Sequence, residues 1–381
     1  MSKFPIKEFE SQATPFYYYD MALLHKTLEA VKAAAPEENF HVHYAIKANA
    51  NPLVISEIAK AGLGVDCVSE GEIKAALKAG FPASKIVFAG VGKGDSEIDF
   101  ALDNNIECFN VESIPELQLI QEMAAVKCKI ANIALRVNPD IDAHTHHYIT
   151  TGLEENKFGI ALEMLHQAVD FCIKNPNLRL IGLHFHIGSQ ITVTEPFKIL
   201  CERINTLVAQ YKKLGVEFNM INVGGGLGID YDDPDGHPIP DFESYFAVFR
   251  DNLHLDGTRQ VHFELGRSIV GQCGSLITKV RYVKEGVKKK FVIVDAGMTD
   301  LIRPALYQAH HLIQNITSTS SVEEVYDVVG PICESSDCFG VEEKLPLTQR
   351  GDLLAIRSAG AYGEIMASQY NCRNLPGSLA H

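Results

Sequence analysis

Between residues 40 and 267 the chain sets out eight short runs rich in branched aliphatic residues, most of them separated by stretches with helical apolar spacing. The runs are His41 to Lys47, Leu63 to Ser69, Lys85 to Gly90, Cys108 to Ser113, Ile133 to Pro139, Leu180 to Gly188, Phe218 to Gly226 and Val261 to Arg267. Among the helical stretches, EGEIKAALKAG carries Ile73, Ala76 and Leu77 on one face and ends on Gly80, a helix stop signal. Strand and helix in alternation build a parallel sheet. Eight such units suit a closed barrel. An open doubly wound sheet could use the same strands, but glycine and polar residues gather at the strand C-terminal ends, where barrels of this type place their active sites.

The pattern changes after Arg267. SLITKVRYV, KFVIVDAG, EVYDVVGPI and DLLAIRSAG follow one another without long helices between them, which predicts a mostly antiparallel β domain. TPFYYYD near the N-terminus is strand-like and is expected to join it. The expected fold is therefore α/β: a parallel (β/α)8 TIM-type barrel over residues 22–267, with residues 1–21 and 268–381 forming the β domain. A chain of 381 residues is long enough for both. The closing GlySerLeuAlaHis carries no signal of its own and reads equally as native chain or as an addition.

With 46% hydrophobic and 22% charged residues, the chain has the composition of an ordinary globular enzyme. A net charge of -14 argues against nucleic acid as a partner, since phosphate neutralisation needs clustered Lys and Arg. The basic run Lys288, Lys289, Lys290 reads as a solvated turn between strands. MSKFPIKEFESQ lacks the apolar core of a signal peptide and no later segment approaches a membrane span, so a cytoplasmic protein is expected. Nine cysteines without CxxC or other metal spacing fit a reducing compartment.

Several residues stand where chemistry is expected. Lys47 ends the first run at the predicted barrel mouth, where a partly desolvated amine has a lowered pKa and becomes a Schiff-base nucleophile; a surface lysine is the plainer alternative. Gly224, Gly225 and Gly226 follow a strand directly, as a phosphate cradle does and as a tight loop also does. His184 and His186 share one face of LHFHIG. They fit either a ring stacked on a flat ligand or a pair of satisfied core histidines, and no third ligand at recognisable spacing suggests zinc. His144, His146 and His147 read as a polar loop. Glu264 and Arg267 close the last barrel strand, where a buried carboxylate needs a cationic partner, a need a pyridinium nitrogen would meet.

Ten segments in order, YAIKAN (from Tyr44), GVDCVSEGE (from Gly64), NVESIPEL (from Asn110), ENKFGI (from Glu155), HIGSQ (from His186), GGGLG (from Gly224), ELGR (from Glu264), RPALY (from Arg303), CESSD (from Cys333) and AYG (from Ala361), give the chain a family likeness. It resembles the fold-type III pyridoxal-phosphate decarboxylases, with their alanine racemase-like barrel, and among them those acting on diaminopimelate. The resemblance implies a pyridoxal phosphate cofactor carried by Lys47, with His186 stacked on its ring and Glu264 at its pyridinium nitrogen. It gives Ser189, Gly226 and Tyr362 to the phosphate, and Asp66, Gly225, Gly266 and Arg267 to the cofactor site as well. Arg267, Arg303, Tyr307, Glu334 and Tyr362 match positions that hold the substrate, meso-2,6-diaminopimelate. Cys333 matches a proton donor that reaches the neighbouring subunit's site, which implies a homodimer with composite sites. One departure is Leu265, where the family carries proline; it is expected to alter loop stiffness and leave the chemistry unchanged.

Decarboxylases of ornithine, arginine or carboxynorspermidine on the same scaffold act on substrates that end in an amine or guanidinium. The zwitterionic end of diaminopimelate calls for a guanidinium and an acid, which Arg303 and Glu334 offer. Alanine racemase would place an arginine, not Glu264, against the ring nitrogen. A non-catalytic pyridoxal-phosphate carrier would lack the β domain and its CESSD segment.

Overall fold

The computed structural model describes residues 4–35, 38–139, 157–254 and 259–381. His144, His146 and His147, together with Glu155 and Asn156 of ENKFGI, lie outside the described residues. The chain divides into two compact units, one of Leu28–Gly228 with Asp241–Gly266, the other of Met1–Thr27, Ile229–Pro240 and Arg267–His381. Among the described residues no helix is long and apolar enough to cross a membrane.

A single strand, β1 (Phe16–Tyr19), precedes the barrel. The barrel strands are β2 (Phe40–Ala45), β3 (Gly64–Cys67), β4 (Ile86–Phe88), β5 (Cys108–Val111), β6 (Ala131–Arg136), β7 (Leu178–His184), β8 (Met220–Asn222) and β9 (Gln260–Leu265). They pair in chain order, every pairing parallel, and β9 returns to β2 to close the barrel. All eight runs read from the sequence are there; each strand ends before its run does, while β2, β6, β7 and β9 begin one or two residues ahead of it. The loops begin before the apolar pattern ends because the last residues of each run turn over the mouth.

Local chemistry sets the helix starts. Ser69 and Ser113 each accept a hydrogen bond from the backbone N–H three residues on, at Glu72 and Glu116. In return Glu72 and Glu116 reach back to the N–H groups of Val68 and Glu112. These Ser-x-x-Glu segments thus satisfy N–H groups that a helix leaves unpaired at its start. Gly80 ends the first of these helices with φ of 100°, a left-handed conformation that glycine adopts without strain.

Alternation along β9 sorts its side chains. Phe263 points outward and packs against Phe246 and Phe249 of the Phe242–Asn252 helix, with ring centroids 4.8 and 5.2 Å away. His262 and Glu264 point into the barrel. Leu265 is the buried last residue of β9, paired with Tyr44, so the expectation of a changed loop is corrected: the residue belongs to the strand and its side chain to the core.

The second unit carries β10 (Gly274–Glu285), β11 (Lys290–Val294), β12 (Ile313–Asn315), β13 (Glu323–Val329), β14 (Cys338–Pro346), β15 (Leu353–Ile356) and β16 (Gly377–Ala380). Its main path runs β12-β15-β10-β11-β13-β14, with β1 on β10 and β16 on β1. The pairings are antiparallel except β11 with β13 and β1 with β16. Gly377–Ala380 is therefore built into a sheet. Lys288 and Lys289 lie in the β10–β11 turn, and Lys290 opens β11.

Phe249 is fully buried among Phe197, Tyr245 and Phe263. Phe249→Ala is expected to destabilise the barrel by about 3–5 kcal/mol, read as a lower denaturant midpoint with an unchanged slope.

Candidate active site

In the barrel unit, side chains from three strands converge on one carboxylate carried by a fourth. Glu264 of β9 is buried; its Oε1 accepts from Asn110 Nδ2 of β5 at 3.0 Å and from Asn222 Nδ2 of β8 at 2.8 Å. Its Oε2 lies 3.2 Å from His184 Nε2 at the end of β7. Burial by itself would raise the pKa of this carboxyl, but the charge and hydrogen bond of His184, then Lys47 and His186, outweigh it and hold the group well below the usual carboxylate range. Glu264 is an ionised carboxylate in a dry place.

Lys47 does not sit at the strand end as the sequence suggested, for β2 stops at Ala45 and Lys47 lies in a 3-10 turn of Ile46–Ala48. Gly266 makes room for this turn: a Cβ there would stand 3.1 Å from the Ala48 side chain and 3.2 Å from that of Ala45. The Lys47 ammonium is 3.5 Å from Asp66 Oδ2. Asp66 is completely buried and neither of its oxygens accepts a hydrogen bond. Burial first, then the charge of Glu264, pushes its pKa well above the ordinary value, and Lys47 offsets this only in part. At 3.5 Å and 38% exposed, the Lys47 side chain is too weak a counter-charge to outweigh the burial of Asp66. The two buried carboxyls are driven in opposite directions.

His186 lies just beyond β7, and Gly225 N–H donates to its Nδ1 at 3.2 Å. Burial, with Arg136 and Lys47 adding to it, lowers the pKa of this ring well below the ordinary histidine value, so it is neutral. The Gly224–Gly226 run is dictated by packing as much as by ligand approach. A Cβ on Gly224 would stand 2.4 Å from the Phe185 carbonyl oxygen, and one on Gly225 2.0 Å from that of Glu264. Gly224 N–H is committed to Asn222 Oδ1 at 2.9 Å, whereas among the described residues Gly226 N–H meets no acceptor. Ser189 follows Gly188 on the segment beyond β7.

The second unit brings together Arg267, Arg303, Tyr307 and Tyr362, with two residues the sequence reading did not single out, Tyr231 and His311. The Tyr231 hydroxyl accepts from Arg267 Nη1 at 2.6 Å and from Arg303 Nη2 at 3.2 Å. The Arg267 guanidinium lies 4.9 Å from the Tyr362 ring centroid and that of Arg303 5.9 Å from Tyr307. His311, fully buried, sits behind this pair: its Nδ1–H donates to the Arg357 carbonyl at 2.8 Å, leaving Nε2 to accept from Arg303 Nε at 3.3 Å. Burial, then the neighbouring Arg303, pulls its pKa down to about 3, so it stays neutral and fixes the guanidinium without adding charge.

Cys333 and Glu334 lie apart from that cluster, on an exposed segment between β13 and β14. Glu334 accepts from Tyr370 Oη at 2.6 Å, and it forms no hydrogen bond or ion pair with Arg303. Asp337 anchors the segment by accepting from the N–H groups of Met298 and Ile332, both at 2.6 Å.

The pyridoxal binding domain of the pyridoxal-dependent decarboxylases matches residues 21–271. A diaminopimelate decarboxylase of Bacteroides thetaiotaomicron is 59% identical over 98% of this chain and 97% of its own length. One from Neisseria meningitidis serogroup A is 46% identical over 96% and 89% respectively. The crystal structure of Helicobacter pylori diaminopimelate decarboxylase complexed with L-lysine matches with a TM-score of 0.93 at 41% identity, covering 99% of this chain and 93% of that one. With these relatives spanning nearly its whole length, the chain belongs to the diaminopimelate decarboxylase family of pyridoxal-dependent decarboxylases.

Proposed function

We propose that this chain decarboxylates meso-2,6-diaminopimelate with pyridoxal phosphate, giving L-lysine and carbon dioxide, the last step of lysine biosynthesis. The observation that carries the choice of substrate is Arg303. Its guanidinium is buried, yet among the described residues its hydrogen bonds go only to the neutral groups Tyr231 Oη and His311 Nε2. Burial lowers its pKa, and the nearby Arg267 charge adds to the cost. A buried cation so placed favours an anion. A substrate carboxylate fits it, and the ammonium ends of ornithine or lysine do not.

The barrel residues fit the cofactor. Glu264 Oε2 has accepted only one hydrogen bond and retains a lone pair for a ring N–H. The Gly226 N–H suits a phosphate oxygen, with Ser189 beside it in this reading, and the neutral His186 ring suits stacking on a flat heterocycle. Pyridoxal phosphate, when bound, supplies an electron sink for the carbanion left as carbon dioxide departs. The ionised Glu264 keeps the ring nitrogen protonated, which that sink requires. Lys47 holds the cofactor through its amine, and the exclusion of water around Glu264 strengthens the charge interaction. The exposed Cys333 and Glu334 serve a second copy of the chain in a homodimer, Cys333 as the group that returns a proton. The direct test is to supply meso-diaminopimelate, ornithine and arginine separately to the holoenzyme and measure carbon dioxide and the amine product.

Three outcomes are expected. Borohydride reduction of the wild type should fix cofactor on the peptide containing Lys47, and the same treatment of Lys47→Ala should fix none there. Mixing the poorly active Cys333→Ala with inactive Lys47→Ala should restore part of the activity through hybrid dimers, measured once subunit exchange is verified. Arg303→Leu removes one partner of a desolvated charged contact, a loss of roughly 2–5 kcal/mol. At about 1.4 kcal/mol per tenfold, kcat/KM for diaminopimelate should fall by about a hundredfold or more, while residual turnover of lysine or ornithine changes far less. An equal fall for both would make Arg303 structural.

A further inference from the structure

A buried charge pair sits behind the strand that carries Asn110. Lys93 lies in the loop after β4 with its side chain fully buried, and Glu116 lies on the helix Ile114–Val126 that follows β5. Their charged atoms are 2.7 Å apart. The Lys93 ammonium also donates to the carbonyls of Asn110 at 2.8 Å and Gly90 at 2.9 Å, which uses all three of its hydrogens. We propose, as an inference that rests on the function given above, that Lys93 and Glu116 are positioning residues for decarboxylation. They clamp the end of β5 so that Asn110 meets Glu264 and Glu112 meets Arg136.

Strand pairing shows why a clamp is needed there. The ladder between β4 and β5 ends at the pair Phe88 and Phe109, one residue short of Asn110. Beyond it the Lys93 ammonium takes the place of a strand partner on the Asn110 carbonyl, and the second oxygen of Glu116 accepts from Glu112 N–H at 2.8 Å. The pair thus holds the peptide groups on both sides of Val111. Asn110 and Glu112 flank that residue and so share one face of the chain. The first donates to Glu264 Oε1 at 3.0 Å. The second accepts from Arg136 Nη1 at 2.6 Å and from the N–H groups of Gly159 at 2.9 Å and Gly90 at 3.2 Å. Asn110 is buried, and among the described residues its Oδ1 has no hydrogen-bond partner, so its amide depends on the backbone for its aim at Glu264.

The energetics favour positioning over simple cohesion. Two ions taken out of water recover their desolvation cost only with close geometry and further hydrogen bonds, and a well-packed apolar pair of similar volume is often as stable. What an apolar pair cannot supply is a donor for the Asn110 carbonyl and an acceptor for the Glu112 N–H. Glu112 carries the placement one step further, to Arg136, whose guanidinium lies 4.7 Å from the Phe158 ring centroid. After burial, the Arg136 charge is the next cause that keeps His186 neutral. One buried pair therefore sets two groups that act on the residues assigned to the cofactor, Asn110 on Glu264 by a hydrogen bond and Arg136 on His186 by its charge.

The test compares the wild-type holoenzyme with Lys93→Met, which keeps the apolar stem and loses the three donors. Glu116→Gln keeps one acceptor oxygen and replaces Lys93→Met throughout if that variant does not fold. The variant is expected to lower kcat about tenfold or more with KM little changed, because a small misplacement costs rate chiefly. Without substrate, the visible circular dichroism of the bound cofactor should weaken and the cofactor should dissociate more readily. Phe249→Ala is the control for lost stability alone, and it should keep kcat and dichroism per folded chain. In a double-mutant cycle, Lys93→Met should cost several-fold less in kcat on an Asn110→Ala background than on the wild type. Unchanged kcat or unchanged dichroism in the folded variant, or equal proportional losses with and without the Asn110 amide, would overturn the proposal and leave the pair as cohesion only. Dichroism and cofactor affinity are read without substrate, so a wild type that failed to decarboxylate meso-diaminopimelate would strike the proposed substrate and not the clamp.

Discussion

An ionised carboxylate inside a barrel is the constraint around which the first unit is organised. Glu264 is held in that state by Asn110, Asn222 and His184, each on a different strand. Breaking one contact leaves a buried charge under-compensated, which costs more than an ordinary hydrogen bond. The barrel must therefore keep its register for the charge to survive. That requirement reaches into the neighbouring loops: a Cβ on Gly225 would collide with the Glu264 carbonyl, so the glycine run is tied to the same strand as the carboxylate. Asp66, pushed toward its protonated form beside Glu264, shows the same economy, for two adjacent carboxylates are not both ionised in this setting.

Much of this was readable from the sequence, and the limits have a physical basis. Period-two runs with helices between them locate a barrel strand to within a few residues, because one face must be apolar or the strand would not bury. The same rule put His184 and His186 on one face, and the end of the last strand marked Glu264. It could not say which inward residues meet, since Asn110, Asn222 and Glu264 come together only when the sheet closes. Lys47 was displaced for a related reason: the apolar pattern of His41 to Lys47 continues past the last ladder hydrogen bonds, and hydrophobicity alone does not distinguish a strand end from a 3-10 turn. Tyr231 and His311 gave no sequence signal. Tyr231 stands among the aspartates of the polar-rich segment after GGGLG, and His311 reads as one of two adjacent histidines.

The second unit solves a different problem, that of keeping guanidinium groups dry without neutralising them. Arg357 is buried and takes the usual course, a pairing with Asp235 in which Nη2 stands 2.8 Å from a carboxylate oxygen. Arg303, buried equally, is instead fixed by a phenol and a neutral imidazole. These contacts orient the fork while leaving its charge uncompensated, and the Arg357 carbonyl sets the tautomer of His311 that makes this possible. A histidine free to titrate near neutral pH would place a second positive charge against Arg303; one held at a pKa of about 3 does not. Protonation of His311 is then confined to acid conditions, and since its folded pKa lies below the unfolded value, its contribution to stability is present above about pH 6.5 and is lost as pH falls toward 3.

The inward faces of the barrel strands explain why the polar groups occur in separated sets. Two residues before Asn110, Asn222 and Glu264, on the same faces, stand Cys108, Met220 and His262. Cys108 and Met220 belong to an apolar cluster with Val87 and Ala134, so the floor under the asparagines is dry. Only on the β9 and β2 side is this layer polar, where His262 meets His43 and Glu107. A barrel interior filled by layers tolerates a polar residue where its partners lie in the same or an adjoining layer. The Glu264 layer finds its partners among strand-end amides and His184. The histidines lower down have one shared carboxylate between them. That imbalance, more than the identity of any one residue, is what sets the lower cluster apart from an ordinary core hydrogen bond.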